Sequence, residues 1–468
     1  MPVLWLFLVV LALTGSGFFI GRQRALASAK GDSRNLHSRL PYYGTHAATS
    51  VIVPSLLVMA IWLFVQPLVV SSAAEALLPQ ALVTTDASAG LLMAEVHRVG
   101  AELVDQGVTG PLAALVPAGT TAELIPAIEV YVANTQTGRL WMSIVVILVA
   151  LVMGGLALRP INADFRARNT VERTIMALLI AAASLAILTT VGIVLSMLFE
   201  TINFFGLHSW TDFFFGTTWA PNFRGDSDLS ILPLLWGTLY ISLIALIVAV
   251  PTGLFAAVYL SEYAGPKTRA FAKPLLEILA GIPTIVYGLF ALLTVGPMLT
   301  TLFSDGGLLG VDWMKGATSV LTAGVVMGIM LIPFVSSLSD DIINAVPQSM
   351  RDGSLGLGAT HSETIRQVVI PAALPGIVGA ILLAASRAIG ETMIVVMGAG
   401  ALAKFSLNPL ESMTTITTRI VSQLTGDGDF SSPETLVAFA LGLSLFVLTL
   451  GLNVLALFIV RKYREQYE

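Results

Sequence analysis

The sequence predicts an all-α membrane protein, a polytopic bundle of helices. Of its 468 residues, 56% are hydrophobic and only 11% charged, against roughly a quarter charged in an average soluble domain. The mean hydropathy is +0.85. Its apolar runs approach the ~20 residues that carry a helix across hydrocarbon and far exceed the ~10-residue alternating segments of a barrel. Within lipid the backbone groups must satisfy one another, which leaves helices as the spanning elements. The chain has no cysteine, so disulfides and thiolate chemistry are excluded. The net charge of −5 decides little in such a protein; the placement of Lys and Arg decides more.

The first apolar run, 3–20, lacks a basic leader and an A-x-A-like closure, so it is expected to persist as a span. Arg22, Arg24, Lys30, Arg34 and Arg39 follow, against a single acid, Asp32. By the positive-inside rule this linker is cytoplasmic and the N-terminus lies outside. A second span fits 48–70. The segment 71–139 then carries Glu75, Asp86, Glu95, Glu102, Asp105, Glu123 and Glu129 with few bases, and helical spacing in ASAGLLMAEVHRVGAELVDQ. It reads as a small helical insert on the outer side. A third span, 140–158, returns to Arg159, Arg166, Arg168 and Arg173. The change of character there separates an N-terminal membrane module, 1–173, from a core, 174–468.

The core is expected to hold about six spans of near-hydrocarbon length, at 174–199, 232–260, 274–303, 318–336, 376–403 and 434–460. This parity puts Lys267, Arg269 and Lys273, the 337–375 loop and the Arg461, Lys462, Arg464 tail inside. Glu277 is expected a few residues into its span, paired with Lys273. Asp340 and Asp341 read as a solvated loop face, and Pro251 and Pro283 as helix kinks.

Within the 337–375 loop, Asp352-Gly353-Ser354 is followed after three residues by Gly358 and after nine more by Val368-x-Ile370-Pro371. Gly358 permits a sharp turn. Ala359 begins a segment with Ile365, Val368 and Val369 at helical spacing, an apolar face to offer a partner's groove, and Pro371 limits its continuation. The spacing resembles the EAA loop of ABC importer permeases, E-A-A-x3-G-x9-I-x-L-P, with Asp352 for Glu and Gly353 and Ser354 for the alanines. The resemblance implies short coupling helices that dock into a cleft of a separate ATPase subunit.

The following helix, AILLAASRAIGETMIVVMGAG, contains Arg387 and Glu391. The i, i+4 spacing predicts one helix face near mid-depth, where a charge costs about 2.5–3.5 kcal/mol on insertion scales and a pathway-facing role is the default. A guanidinium fork suits a tetrahedral oxyanion. Glu391 would hold it in place and keep binding weak enough for release, with the Ser386 and Thr392 hydroxyls nearby. An ion pair that merely fastens helices together is the alternative.

LEILAGIPTIVYGLF, TLYISLIALIVAVPTGLFAAVYLSEY, MGIMLIPFVSSLSDDI and SRAIGETM together resemble the permease subunits of the phosphate-specific ABC importer. PFVSSLSDD and GETM are more similar to the PstC type than to its PstA companion. The match runs from about 174 to the C-terminus, and 1–173 resembles the extension of longer PstC-type chains. The resemblance implicates Arg387 and Glu391, of the R-A-x-G-E-T motif, in phosphate transport. It implies a PstA-like second permease, two ATPase copies and an extracytoplasmic phosphate-binding protein, in a bacterial inner membrane with the C-terminus cytoplasmic. No nucleic acid enters this reading. No G-x-x-x-x-G-K-[ST] loop is present, so ATP and Mg are expected on the partner ATPase and no cofactor or metal on this chain. H-E-x-x-H and G-x-S-x-G are absent, which argues against a membrane enzyme. The expected function is that of a non-catalytic subunit forming half of a phosphate import pathway. A permease for another oxyanion and an ion-gradient secondary transporter remain the alternatives.

Overall fold

Runs of Leu, Val, Ile and Ala become helices here because a lipid-facing backbone can hydrogen-bond only to itself. The computed structural model describes residues 2–79, 86–105, 122–222, 227–304, 308–426 and 432–464. Among these residues nine helices are long and apolar enough to cross a membrane. The chain divides into two compact units, 1–187 and 188–468.

The first unit holds α1 (Val3–Ser28), α2 (Leu40–Glu75), α3 (Asp86–Asp105) and α4 (Ile125–Leu158). Both α2 and α4 outrun the apolar stretches that define them in sequence, since polar flanks prolong a helix beyond hydrocarbon at little cost. Leu6 and Val10 of α1 pack on Met142 and Val146 of α4. The insert helix α3 buries Val96, Val99 and Leu103 against Ala127, Ile128 and Val132 of α4. The part of the insert at 106–121 lies outside the described residues. At the opposite end Tyr43 donates to the carbonyl of Phe165 at 3.1 Å. The expected boundary at 173/174 falls inside α5 (Ala167–Leu207), which begins in the first unit and ends in the second.

In the second unit α6 (Trp210–Phe215) precedes a two-residue antiparallel ladder, β1 (Trp219–Ala220) with β2 (Asp228–Leu229), in the register Trp219 opposite Leu229. The core spans follow as α7 (Leu232–Val258), α9 (Thr284–Phe290) continued by α10 (Gly296–Phe303), α11 (Val320–Asn344), α14 (Ile370–Ile389) and α17 (Pro433–Arg464). Central to them is α11, whose Val320, Met327 and Leu331 share a core with Ile241 and Ala245 of α7 and Ala384 and Ala388 of α14. A Cβ at Gly328 would meet Val248 of α7 at 2.7 Å, so glycine there sets how closely the two helices approach.

Several expectations about the core are corrected. The run 274–303 is two helices: α8 (Pro266–Ala280) stops at Gly281, and Pro283 is the N-cap residue of α9 rather than a kink within a helix. Glu277 therefore lies on α8, which buries none of its residues, and not inside a span. Lys273 reaches across to α11, with Nζ 3.0 Å from Asp340 and 3.3 Å from Asp341, instead of pairing with Glu277. Asp340 is no loop residue, because α11 runs on to Asn344 and leaves the residue only 3% exposed. Arg269 approaches both its oxygens at 3.1 Å, and Asn344 donates to it at 2.9 Å. The hydrogen bond of Lys273 to Asp340 first, and then the one to Asp341, hold its ammonium above the ordinary value. The run 376–403 is broken as well, and that break forms the site.

Candidate functional site

The helix α14 ends at Ile389, with Gly390 as its C-cap residue. Glu391 and Thr392 separate it from the short α15 (Met393–Gly398). Arg387 thus stands in the last turn of α14 while Glu391 lies in the break. The shared helix face expected from i, i+4 spacing is corrected, because no continuous helix joins the two residues. Glu391 turns to the backbone: its Oε1 accepts from the N–H groups of Thr392 and Met393, both at 3.1 Å. It satisfies two of the amides that every helix start leaves without a partner. Thr392 is the N-cap residue of α15, and Ser386 is half-buried on α14.

Arg387 is exposed, with its guanidinium carbon 5.6 Å from the centre of the Phe334 ring on α11. Among the described residues no carboxylate comes within ion-pair distance of it. The aromatic face offers a cation a foothold without neutralising it, which leaves the fork free to meet an anion.

Three residues absent from the sequence reading complete the surroundings. Besides Phe334, Thr417 at the start of α16 (Ile416–Gly426) donates to the carbonyl of Glu391 at 2.8 Å. Arg419 on the same helix hydrogen-bonds the carbonyl of Ala401, its buried Nε has no partner among the described residues, and burial lowers its pKa from the usual value. The hydroxyl-rich run TTITTR, 414–419, was the available signal.

At the other end of the same chain segment lies the predicted coupling element. Asp352, Gly353 and Ser354 fall on α12 (Gln348–Gly356), where Gln348 donates to Asp352 at 3.0 Å. Gly358 adopts φ +90°, and the bonds from Ala359 N to Ser354 O and from Gly358 N to Leu355 O close a Schellman turn behind α12. Thr360 and Glu363 then form a reciprocal cap on α13 (His361–Thr364). Ser354 and Thr364 hydroxyls meet at 2.9 Å and tie the two short helices together.

Two expectations about this element are reversed. Pro371 does not end the helix: a π-turn at Ile365–Val369, in which Ile370 N reaches back to Ile365 O, lets the chain run from α13 into α14 without interruption. A proline ring would clash with the carbonyl four residues earlier in an α-helix, and the wider turn precedes it. The apolar stripe also faces inward. Ile365 and Val369 are buried, Val369 among Ala257, Ile343, Val346 and Ala373 of this chain, while Val368 and Ile370 are half-buried. The large apolar side chains exposed on this element are Leu355, 43% exposed, and Leu357, 93% exposed. Arg351 anchors α12 from below. It pairs with Glu262 in the π-turn Tyr259–Tyr263 after α7 and donates to the Ile343 carbonyl of α11 at 2.8 Å.

A solved inward-facing conformation of the MetNI methionine ABC transporter matches with a TM-score of 0.37 at 19% identity, over 49% of this chain and 93% of that one. A family model described as "Phosphate ATP-binding cassette transporter" matches residues 7–189, and one described as "Binding-protein-dependent transport system inner membrane component" matches 249–465. The phosphate transport system permease protein PstC of Xylella fastidiosa is 30% identical over 332 residues, 67% of this chain and 95% of that protein. PstC 1 of Mycobacterium tuberculosis is 34% identical over 282 residues, 55% of this chain and 82% of its own length. A probable ABC transporter permease protein, YqgH of Bacillus subtilis, is 30% identical over 278 residues, covering 59% and 84%. With a relative matched over nearly its whole length and family models on both of its units, the chain belongs to the PstC family of phosphate transport system permeases.

Proposed function

We propose that this chain is the permease subunit of an ATP-driven phosphate importer in a bacterial inner membrane, and that Arg387 meets phosphate on its way through. The observation that carries the role of Arg387 is a guanidinium with no carboxylate partner among the described residues, braced on Phe334 at a break between two helices. Phosphate presents paired oxygens to such a fork, giving two charge-assisted hydrogen bonds. Glu391 lies four residues away with its charge committed to backbone amides. It leaves the cation available and adds a negative field that weakens binding enough for release. Ser386, Thr392 and Thr417 supply hydroxyls at the same place.

ATP hydrolysis belongs to a separate subunit in this reading, docking on Leu355 and Leu357 around the Schellman turn. A PstA-like chain supplies the other half of the pathway, and a binding protein delivers phosphate from the side on which the N-terminus lies. Movement of the docked element reaches Arg387 along the unbroken stretch from α13 into α14. Arg387→Gln is expected to cut phosphate uptake by about 10–100-fold, the value of a charge-assisted hydrogen bond to an anion, while the complex still assembles. Uptake at the wild-type rate would remove Arg387 from the pathway.

A further inference from the structure

In the first unit, at the end remote from the basic Arg22–Arg39 linker, a cavity of about 370 Å³ opens where α2 and α4 meet α1 and α3. One wall is polar, formed by Gln66, Ser71, His97, Tyr131, Thr135 and Arg139. The other is apolar, from Val3, Leu63, Val70 and Met142. None of the described residues lining it is acidic.

The polar wall is built rather than incidental. His97 Nε2 lies 3.2 Å from the Ser71 hydroxyl, and its ring centre sits 5.2 Å from that of Tyr131. Gln66 accepts from Trp62 Nε1 and donates to the Thr135 carbonyl, both at 3.1 Å, so its side chain is fixed between α2 and α4. The level of the cavity follows from helix length. With 34 residues α4 is ~51 Å long, well beyond ~30 Å of hydrocarbon, and its apolar run starts directly after Arg139. Arg139 therefore stands at the hydrocarbon boundary, where arginine reaches for the interface. Thr135 and Tyr131 lie one and two turns beyond it.

We propose that this cavity binds a phosphate group, held by Arg139 with His97, Ser71 and Tyr131. Two sources share that chemistry: the headgroup of an anionic phospholipid, whose acyl chains the apolar wall would accompany, and free inorganic phosphate. The site is separate from Arg387 and does not depend on its role.

The test uses the complex purified in neutral detergent and carrying Arg387→Gln, so that phosphate at the pathway does not contribute. Thermal melting is followed by tryptophan fluorescence with added phosphatidylglycerol, diacylglycerol or inorganic phosphate. Stabilisation by phosphatidylglycerol but not by diacylglycerol identifies a lipid phosphate, and stabilisation by inorganic phosphate identifies the free ion. Either effect should need at least about tenfold more ligand after Arg139→Gln, the loss of one charge-assisted partner. Ser71→Ala, a gentler change, should weaken it in the same direction. No stabilisation by either phosphate source, or stabilisation unchanged in both variants, overturns the proposal.

Discussion

Breaking the Glu262–Arg351 pair should loosen the coupling element from the bundle. The guanidinium side chain is 14% exposed and the carboxylate side chain 6%, so both charges lie out of water. Removing one partner of a buried pair costs about 3–5 kcal/mol because the other charge is stranded. In Glu262→Gln, Arg351 keeps its bond to the Ile343 carbonyl, which places the expected loss near the lower figure, about 3 kcal/mol. At about 2–4 °C per kcal/mol for a large domain, the melting midpoint should fall by about 6–12 °C. Arg351→Met should cost a similar amount. The double variant should recover much of the loss, since neither charge is then left stranded. Tryptophan-monitored melting of the four proteins gives the cycle, and phosphate transported per ATP hydrolysed shows whether the anchor serves coupling. Single variants melting within about 1 °C of wild type, or losses that simply add in the double variant, would refute a coupled buried pair.

Three further outcomes are expected. Gly358→Val places a β-branched residue at φ +90° with open space around it, so the cost is conformational, about 1–2 kcal/mol; transport per ATP should fall more than assembly does. Leu357→Asp should release the ATPase in a pull-down while leaving the melting midpoint of this chain unchanged, because Leu357 is 93% exposed. Glu411 has its pKa lowered first by the hydrogen bond to Lys404 and then by Ser406. Its stabilisation is therefore full above the ordinary value of 4.5 and is lost as pH falls through the lower folded value. Trp313 lines one pocket together with Lys404 and Glu411, and its emission should change below that pH in wild type and show no such step in Glu411→Gln.

The spans were legible because length and apolar character are local properties of a run, and a long apolar run has few ways to satisfy its backbone other than a helix. The breaks were not, since hydropathy does not drop where a helix stops inside protein. Gly281 and Pro283, and Gly390 before Glu391, carry the glycine-then-stop pattern that marks such ends, but they sit in runs whose apolarity reads straight through. Pairings were hidden for a different reason. Asp340 meets Arg269 across 71 positions and Arg351 meets Glu262 across 89, distances at which a sequence says nothing about proximity. Arg387 and Glu391 were found by type, as charges in an apolar segment. Their geometry depends on where α14 ends. The stripe of Ile365 and Val369 was seen as apolar, yet periodicity cannot say whether such a face turns to a partner or to the chain's own interior.

The π-turn at Ile365–Val369 holds one residue more than an α-helix would use over the same rise. Were that surplus taken up, everything beyond it would swivel by about 100°, carrying the guanidinium off its aromatic seat. Pro371 stands where it blocks this tightening, because its ring would collide with the carbonyl of Gln367. The rod that runs from α13 to Arg387 thus has a collar, and a proline pins it. The aim of Arg387 is set about 24 Å away, sixteen residues down the helix at 1.5 Å each.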